Sequence, residues 1–271
     1  MSEIKNIENT KSDFEINEES KYIKTYLFIK GYAVAKNFQQ TIIALSLAKR
    51  LHEGQYRRGG DPYITHPLKV CNTLISCGIE DDTILAAALL HDVLEDCQDK
   101  LKDNGEEFVT EYGLSCEVLE IITILTKESG ISDDELQVYF DGIKNNGKAL
   151  LIKLSDRLHN SSTLYSFPYE KLVKYIDETD RFIIPIADYG NDYYPEYTNA
   201  INLLKSNIFS LNRSMRIMLE KSEHQISILK NEIEELKSEL AKMKKERDEM
   251  TQIVCERVPD LTQQEIMTKL L

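Results

Sequence analysis

A heptad repeat of apolar residues runs through residues 213–250 and restricts this part of the chain to a long helix. Apolar side chains recur at alternating spacings of three and four residues over about five heptads, with interruptions at Ser222 and Arg247. The a positions hold Leu219, Ile226, Ile233 and Leu240, and the d positions hold Met215, Leu229, Leu236, Met243 and Met250. Because such a stripe is buried by pairing with another helix, the pattern predicts a coiled coil.

The charged residues beside this stripe indicate how the helices pair. Lysine occupies position e and glutamate occupies position g, at Lys230, Lys237 and Lys244 and at Glu232, Glu239 and Glu246. In a parallel pair, g faces the e position of the partner's next heptad, so opposite charges meet, whereas an antiparallel pair brings like charges together. We therefore predict a parallel homodimer through residues 213–250. The alternatives are a tetramer and a single solvated helix with intrahelical Glu–Lys pairs.

The preceding residues 21–212 predict a compact all-α domain, because apolar clusters recur at three- and four-residue spacing between polar breaks. The predicted helices are one that ends at Gly54, one that opens near Pro62 or Pro67, and others over 81–97, 115–125, 133–144, 148–164 and 169–184. The acidic residues 1–20 predict a disordered tail. Residues 251–271 predict a short helix, since Thr262 and Glu265 form a capping-box pattern.

Composition excludes several classes of protein. The 271 residues contain no apolar run near the ~18–20 residues that span a bilayer, so we expect no membrane segment. A net charge of −13 argues against bulk binding of nucleic acid, and a polyanionic substrate would need a local basic pocket or a metal. Five cysteines without a CxxC pair, and the absence of a secretory signal at the start, predict a cytoplasmic protein.

The strongest chemical signal lies where the apolar run "ILAAALL" leads directly into ionisable residues. His91 and Glu95 are four residues apart, as are Asp92 and Asp96, which gives two adjacent columns on one predicted helix. A buried unpaired carboxylate costs several kcal/mol, and a bound cation would remove that cost. The pattern therefore favours a metal site.

Two further segments carry polar residues of the same kind. In "ALLIKLSDRLHNSSTL", one helix face holds Lys153, Asp156, Asn160 and Thr163, and His159 is expected to lie off that face. The segment "GQYRRGGDPYITHP" places two arginines beside a Gly-Gly turn, followed by His66 next to a proline. Glycines allow a loop to approach a phosphate closely, and guanidinium groups bind phosphate bidentately. Together the segments indicate a phosphate-binding site.

Taken together, these strings resemble the HD-type hydrolase domain of the RelA/SpoT homologue family, which removes the 3′-pyrophosphate from guanosine tetra- and pentaphosphate. The matching strings are "HEGQYRRGGDPYITHPLKV", "TILAAALLHDVLED", "LTK" and "LIKLSDRLHN" with "TL" shortly after, in family order over roughly residues 35–190. The resemblance implies an all-α HD-type fold. It thins after Leu164, where Ile183 stands at a position expected to be aromatic.

The resemblance also implies roles for individual residues. His66, His91, Asp92 and Asp156 match the ligands of one Mn²⁺ ion per chain. Nitrogen and oxygen donors without thiolate suit such an ion. The carboxylates of Glu95 and Asp96 match the acid pair that activates the attacking water. The implied nucleotide contacts are Arg57 at phosphate, Arg58 and Lys127 as further contacts, Lys153 as a phosphate partner, and Asn160 and Thr163 at the ribose or base.

The implied function is Mn²⁺-dependent hydrolysis of guanosine tetra- or pentaphosphate to the 5′-nucleotide and pyrophosphate. The coiled coil takes the place of the synthetase domain of long family members, so we expect no synthesis. One alternative keeps the metal site and changes the substrate to an adenosine alarmone, the 2′-phosphate of NADPH or a pyrophosphorylated tRNA end. A second alternative is a nucleotide-sensing coiled-coil scaffold without turnover.

Overall fold

The computed structural model describes residues 21–102, 105–128, 130–164 and 167–257. Across these residues the chain is helical without any strand, and one isolated bridge joins Tyr56 to Pro62. The all-α prediction is therefore confirmed. The chain divides into two compact units, the first ending at Ser214 and the second beginning at Met215. The predicted tail at 1–20 and most of the predicted C-terminal helix, from 258 onward, lie outside the described residues.

Short helices and the first part of one long helix build the first unit. The helices are α1 (21–36), α2 (Gln39–Leu51), α3 (Thr65–Ser76), α4 (Asp82–Leu90), α5 (Val93–Asp96), α6 (Glu107–Thr110), α7 (Cys116–Leu125), α8 (Asp133–Lys144), α9 (Gly147–Ser162), α10 (Tyr169–Glu178), α11 (Ile184–Tyr193) and α12 (Thr198–Arg257). The helices predicted over 115–125 and 133–144 agree with α7 and α8 to within one residue.

Helix α4 is the centre of the core. Every residue from Ile84 to Leu90 is buried, and α4 packs against α2, α3, α7 and α9. A helix that is apolar on all sides is stable only when it is surrounded in this way. Its start is tied to α2, because the Asp82 carboxylate accepts hydrogen bonds from the backbone amides of Gln40 and Thr41 at 3.0 and 2.7 Å.

The helix predicted over residues 81–97 is interrupted. α4 ends at Leu90, α5 begins at Val93, and His91 and Asp92 form the turn between them. The Ala88 carbonyl, which would accept the Asp92 amide in a continuous helix, lies 2.9 Å from Nδ1 of the His91 ring. A side chain that takes over a backbone acceptor competes with the helix. The prediction of one unbroken helix is therefore wrong, although Asp92 and Asp96 keep their i, i+4 relation, because the Asp96 amide donates to the Asp92 carbonyl at 2.9 Å.

The helix predicted over residues 169–184 is also divided. α10 ends at Glu178, a π-helical turn covers Thr179–Ile183, and α11 begins at Ile184. Pro185 follows at the start of α11 and lacks the N–H that would continue the α-helical ladder. Ile183, where an aromatic residue was expected, is fully buried in the core.

Within the described residues, the second unit consists of the part of α12 that follows Ser214. Its heptad side chains from Ile226 to Met250 are 47–66% exposed within the chain, at Ile226, Leu229, Ile233, Leu236, Leu240, Met243 and Met250. A stripe of this kind is unusual on a solvated helix. A membrane helix is not the reason, because no described helix is long and apolar enough to span a bilayer.

Candidate metal centre

A cavity of about 810 Å³ opens where α3, the His91–Asp92 turn, α9 and α10 contribute side chains. It is large enough for a nucleotide-sized ligand. Helix α9 is held against α3 by a buried hydrogen bond in which the Ser155 hydroxyl donates to the Val70 carbonyl at 2.9 Å. The packing of these two helices brings the first turn of α3 to the middle of α9.

Two imidazoles and two carboxylates meet in this cavity. His66 Nε2 lies 3.2 Å from each of three atoms: His91 Nε2, Asp92 Oδ2 and Asp156 Oδ1. His91 Nε2 in turn lies 3.1 Å from Asp92 Oδ1 and 3.9 Å from Asp156 Oδ1. The ligand atoms of His66, His91 and Asp92 all lie within 4.8 Å of one another. The three segments that carry the predicted ligands therefore converge on one point.

The electrostatics of these groups fit a bound divalent cation. Both imidazoles are buried, at 1% and 4% exposure for His66 and His91. Burial alone would lower the pKa of His91, but the Asp92 charge and the hydrogen bond to Asp156 raise that pKa to about 9. The carboxyl pKa of Asp156 lies well below its usual range because the Lys153 charge and His66 outweigh burial. Lys153 supplies one positive charge to these carboxylates, and a bound divalent cation would supply the rest. An N₂O₂ donor set without thiolate suits a fairly hard divalent ion.

The loop before α3 presents the predicted arginines. A tight turn closes where the Arg57 amide donates to the Asp61 carbonyl at 2.9 Å, and Gly60 adopts φ 82°, a conformation that glycine tolerates best. Arg57 and Arg58 both line the cavity. The Arg57 guanidinium donates to Asn160 Oδ1 at 2.6 Å, and the Asn160 amide donates to Asp156 Oδ1 at 2.6 Å. Two predicted nucleotide contacts are thus linked to a predicted metal ligand.

The two predicted catalytic acids are each held by a neighbour. The Glu95 carboxylate accepts a short hydrogen bond from the backbone amide of Lys127. Partial burial raises the pKa of Glu95 and the Asp92 charge adds to this effect, although the Lys127 amide acts in the other direction. Asp96 is hydrogen-bonded to the hydroxyl of Tyr63, which also lies 2.8 Å from Asp92 Oδ2. Tyr63 was not identified from the sequence, although it stands three residues before His66.

The other predicted contacts are less directly available to a ligand. Lys153 forms an ion pair with Asp156 at 3.1 Å, and its side chain is 16% exposed. Thr163 lies at the end of α9, where its hydroxyl donates to the Asn160 carbonyl at 3.1 Å. Lys127 Nζ lies 3.6 Å from the Glu178 carboxylate. All three residues line the cavity.

The structure adds a basic cluster that the sequence did not reveal. Lys171 and Lys174 of α10 line the cavity together with Arg58, and none of the three makes an ion pair within the described chain. Burial, followed by the charges of Arg58 and Lys127, lowers the pKa of Lys171. The sequence feature that could have indicated this cluster is the i, i+3 spacing of Lys171 and Lys174 on a polar helix face. Ile183 is not among the residues that line the cavity.

His159 also lies in the cavity wall, which corrects the expectation that it lies off the functional face. Its Nδ1 atom is 2.7 Å from Nδ1 of His66. The sequence could have placed His159 in the site, because it stands three residues after Asp156. Residues at i and i+3 share a helix face, as do those at i and i+4.

The fold and the site define the class of protein. Residues 44–188 match the HD domain, and the chain belongs to the HD domain family. The resemblance to RelA/SpoT-type proteins is confirmed by relatives that are similar over this region. The probable GTP pyrophosphokinase of Mycobacterium leprae is 38% identical over 144 residues, which are 53% of this chain and 18% of the relative.

Two other relatives carry names that include hydrolysis. The guanosine-3′,5′-bis(diphosphate) 3′-pyrophosphohydrolase of Aquifex aeolicus is 32% identical over 188 residues, which are 64% of this chain and 27% of the relative. The bifunctional (p)ppGpp synthase/hydrolase RelA of Mycobacterium tuberculosis is 37% identical over 144 residues, which are 53% of this chain and 18% of the relative. The chain therefore spans only about a fifth to a quarter of the length of these curated relatives.

Proposed function

We propose that this chain is a Mn²⁺-dependent phosphohydrolase that removes the 3′-pyrophosphate from guanosine tetra- and pentaphosphate. The observation that carries the proposal is the convergence of His66, His91, Asp92 and Asp156 in a cavity whose wall also holds cations that form no ion pair with any described residue. The names of relatives over the HD region support the same chemistry.

The four converging side chains would hold one Mn²⁺ ion per chain, because their atoms already face one another and Lys153 forms an ion pair with only one of the two aspartates, Asp156. Bound Mn²⁺ supplies Lewis acidity toward the phosphoryl group and toward the attacking water. His91 Nδ1 donates to the Ala88 carbonyl, which leaves Nε2 directed at the same point as His66 Nε2. Imidazoles held in this way bind a cation with little loss of side-chain entropy.

Glu95 accepts the proton of the attacking water in this proposal. Its pKa is raised, so it is a stronger base than an exposed glutamate, and the Lys127 amide fixes one carboxylate oxygen. The water oxygen forms a bond to the phosphorus next to the ribose, and the bond from that phosphorus to the 3′ oxygen breaks. The proton taken by Glu95 is then available to the departing 3′ oxygen. No other proton donor is needed for the balance.

The basic cluster would allow an acidic chain to bind a polyanionic nucleotide. Net charge is −13, yet Arg58, Lys171 and Lys174 face the cavity without a carboxylate partner among the residues that the structure describes. Cations held close together repel one another, and a phosphate group between them relieves that repulsion. We assign this cluster to the 5′-phosphates. Arg57, which is hydrogen-bonded to Asn160, would lie closer to the 3′-phosphates.

The proposal is tested with the purified full chain, stripped of metal and supplied with Mn²⁺ and guanosine tetraphosphate. Chromatography should detect guanosine diphosphate and pyrophosphate in equal amounts. We expect Glu95→Gln to lower kcat by about 10²–10⁴-fold, since a positioned general base contributes that much. Glu120→Gln, which changes an acid on α7 outside the cavity, is the matched control and should not alter kcat.

A substrate panel separates the remaining possibilities. Turnover of an adenosine alarmone, NADPH or a pyrophosphorylated tRNA end without turnover of guanosine tetraphosphate would keep the chemistry and replace the substrate. Binding of Mn²⁺ and nucleotide without any product would identify a sensing scaffold. Failure to bind Mn²⁺ would refute the metal site itself.

We also propose that residues 213–250 pair in parallel with a second copy of the chain, following a hydrolase domain at 21–212. The apolar heptad side chains are exposed within one chain. The flanking charges Lys230, Lys244, Glu232, Glu239 and Glu246 make no ion pair within the described residues. Both features are accounted for by a partner helix that carries the same stripe and the same e and g charges.

Light scattering of the full chain tests this pairing. The expected mass is about twice 31.3 kDa. Leu236→Asp places a charge in the apolar stripe and should yield monomers, whereas Asn231→Asp, at the outer position f, should leave the mass unchanged. Reversal of the three e lysines to glutamate should also weaken pairing, and simultaneous reversal of the three g glutamates to lysine should restore it. An unchanged mass for Leu236→Asp would refute the interface.

A further inference from the structure

The two nitrogens of the His66 ring have different surroundings. Nε2 faces His91 Nε2 and the carboxylates of Asp92 and Asp156 at 3.2 Å. Nδ1 lies 2.7 Å from Nδ1 of His159, and the two ring centroids are 4.8 Å apart. His66 is 1% exposed, so few water molecules can compete for either nitrogen.

A separation of 2.7 Å between two ring nitrogens requires one proton between them, because two lone pairs or two N–H groups would repel each other. An imidazole that binds a metal through Nε2 must present a lone pair there and carry its proton on Nδ1. His66 then donates from Nδ1, and His159 accepts. His91 is held in the same tautomer by a different acceptor, the Ala88 carbonyl at 2.9 Å.

We propose that His159 is a positioning residue that holds His66 in the Nδ1–H tautomer and thereby directs the Nε2 lone pair toward the metal. This inference rests on the metal site proposed above. His159 lies three residues after Asp156 on α9. One helix therefore supplies a ligand and also orients the ligand that comes from α3.

The test measures Mn²⁺ binding to the full chain by titration calorimetry, without any substrate. His159→Phe keeps a ring but removes the acceptor, and we expect it to weaken Mn²⁺ binding about 10–100-fold, as is typical when an outer partner of a metal ligand is lost. His159→Asn retains an acceptor close to the position of Nδ1, and it should recover most of the lost affinity. Melting of the metal-free proteins reports whether each variant folds.

A second readout detects the hydrogen bond between the two rings directly. In the full chain loaded with diamagnetic Zn²⁺, proton–nitrogen spectra of the His66 ring should show an Nδ1 proton that resonates far downfield and exchanges slowly with water, because His159 accepts it. The same spectrum of His159→Asn should be unchanged in this respect. If His159→Phe does not fold, the wild-type spectrum and the asparagine variant decide the question.

The outcomes separate the two proposals. A wild-type chain that binds no Mn²⁺ would refute the metal site and this inference with it. Tight wild-type binding together with equally tight binding by His159→Phe would refute only the role of His159. Equal losses in His159→Phe and His159→Asn would also refute it, because packing and not the acceptor would then be responsible. A His66 Nδ1 proton that exchanges rapidly with water in the Zn²⁺-loaded protein would refute it outright.

Discussion

The ion pair between Arg157 and Glu178 holds α10, and with it the basic cluster, against α9. Arg157 is 3% exposed, its guanidinium lies 4.1 Å from the Tyr175 ring centroid, and it donates to Thr179 Oγ1 at 3.3 Å. A second hydrogen bond reaches the Glu178 carboxylate. We predict that Arg157→Met destabilises the first unit by about 3 kcal/mol. Removal of one partner of a buried pair costs about 3–5 kcal/mol, because the other charge stays buried.

The lower end of that range applies here for two reasons. The Glu178 side chain is 23% exposed, so water solvates part of the carboxylate. Lys127 also remains 3.6 Å away as a partial substitute for the lost cation. A loss of about 3 kcal/mol corresponds to a fall in Tm of about 6–12 °C for a domain of this size. The double variant Arg157→Met with Glu178→Met should recover most of the loss, since it leaves no unpaired charge.

Urea denaturation followed by tyrosine fluorescence is the appropriate assay. All 14 tyrosines precede the second unit and the chain has no tryptophan, so the signal reports on the first unit alone. Arg181→Met is the matched control, because Arg181 is half exposed and its nearest carboxylate, Asp133 at 3.4 Å, is 78% exposed. Such a pair contributes less than about 1 kcal/mol. Equal losses in the two variants would contradict the argument from burial.

Three further predictions follow from the same geometry. Burial would raise the pKa of Glu178, but the Arg157 charge lowers it below the ordinary value of 4.5. The stabilising contribution of the Glu178 carboxylate is therefore present above pH 4.5 and lost as the pH falls through the pKa of the folded protein. Urea denaturation at a series of pH values should show that the wild type loses stability more steeply below pH 4.5 than Arg157→Met does. Tyr63→Phe should lower activity or Mn²⁺ affinity about 10–100-fold, because Asp92 and Asp96 lose the hydroxyl that contacts both of them. Tyr193→Phe, which changes an exposed tyrosine, is the control and should alter neither quantity in parallel assays. A Cβ on Gly190 would lie 3.0 Å from Ile201 and 3.1 Å from Leu150, so we expect Gly190→Ala to lower the free energy of unfolding by about 1–3 kcal/mol. A Cβ on Gly142 meets nothing within 4 Å, so Gly142→Ala should raise the free energy of unfolding by about 0.5–1 kcal/mol. A gain at both positions in urea denaturation would show that the core around Gly190 is loosely packed.

Periodicity predicted the all-α fold well but could not locate the interruptions. The apolar pattern of residues 81–97 is continuous, and it contains no sign that the His91 ring bonds to the Ala88 carbonyl. Pro185 offered a local reason to end the helix before residue 184, yet a π-helical turn rather than a loop accommodates it. A side-chain hydrogen bond to the backbone accounts for the break at His91, and spacing alone does not reveal it.

The sequence predicted some residues of the candidate site and missed others, again because contacts between segments are not visible in the spacing. Motif resemblance identified His66, His91, Asp92 and Asp156, which the structure brings together. Residues whose role depends on a neighbour were missed. Tyr63 is a candidate because its hydroxyl lies between two acids, and His159 is a candidate because its ring lies beside that of His66. These relations join different helices, so they become visible only when the packing of α3 against α9 is known.

Helix α9 shows how one element can organise the whole centre. Asp156 faces the converging ligands, and Lys153 one turn earlier forms an ion pair with it. His159 contacts His66 of α3, and Asn160 contacts Arg57 of the preceding loop. Arg157, on an adjacent side, holds α10 through Glu178 and Thr179.

Residues at spacings of three and four share a face, so a single rotation of α9 would move Asp156, its ion-pair partner Lys153 and the contacts of His159 and Asn160 at once. Buried Ser155, which bonds to the Val70 carbonyl, fixes that rotation against α3. The predicted metal ligands, the loop that carries the arginines and the helix that carries the lysines therefore depend on one register, and rigid elements of this kind are what a preorganised centre requires.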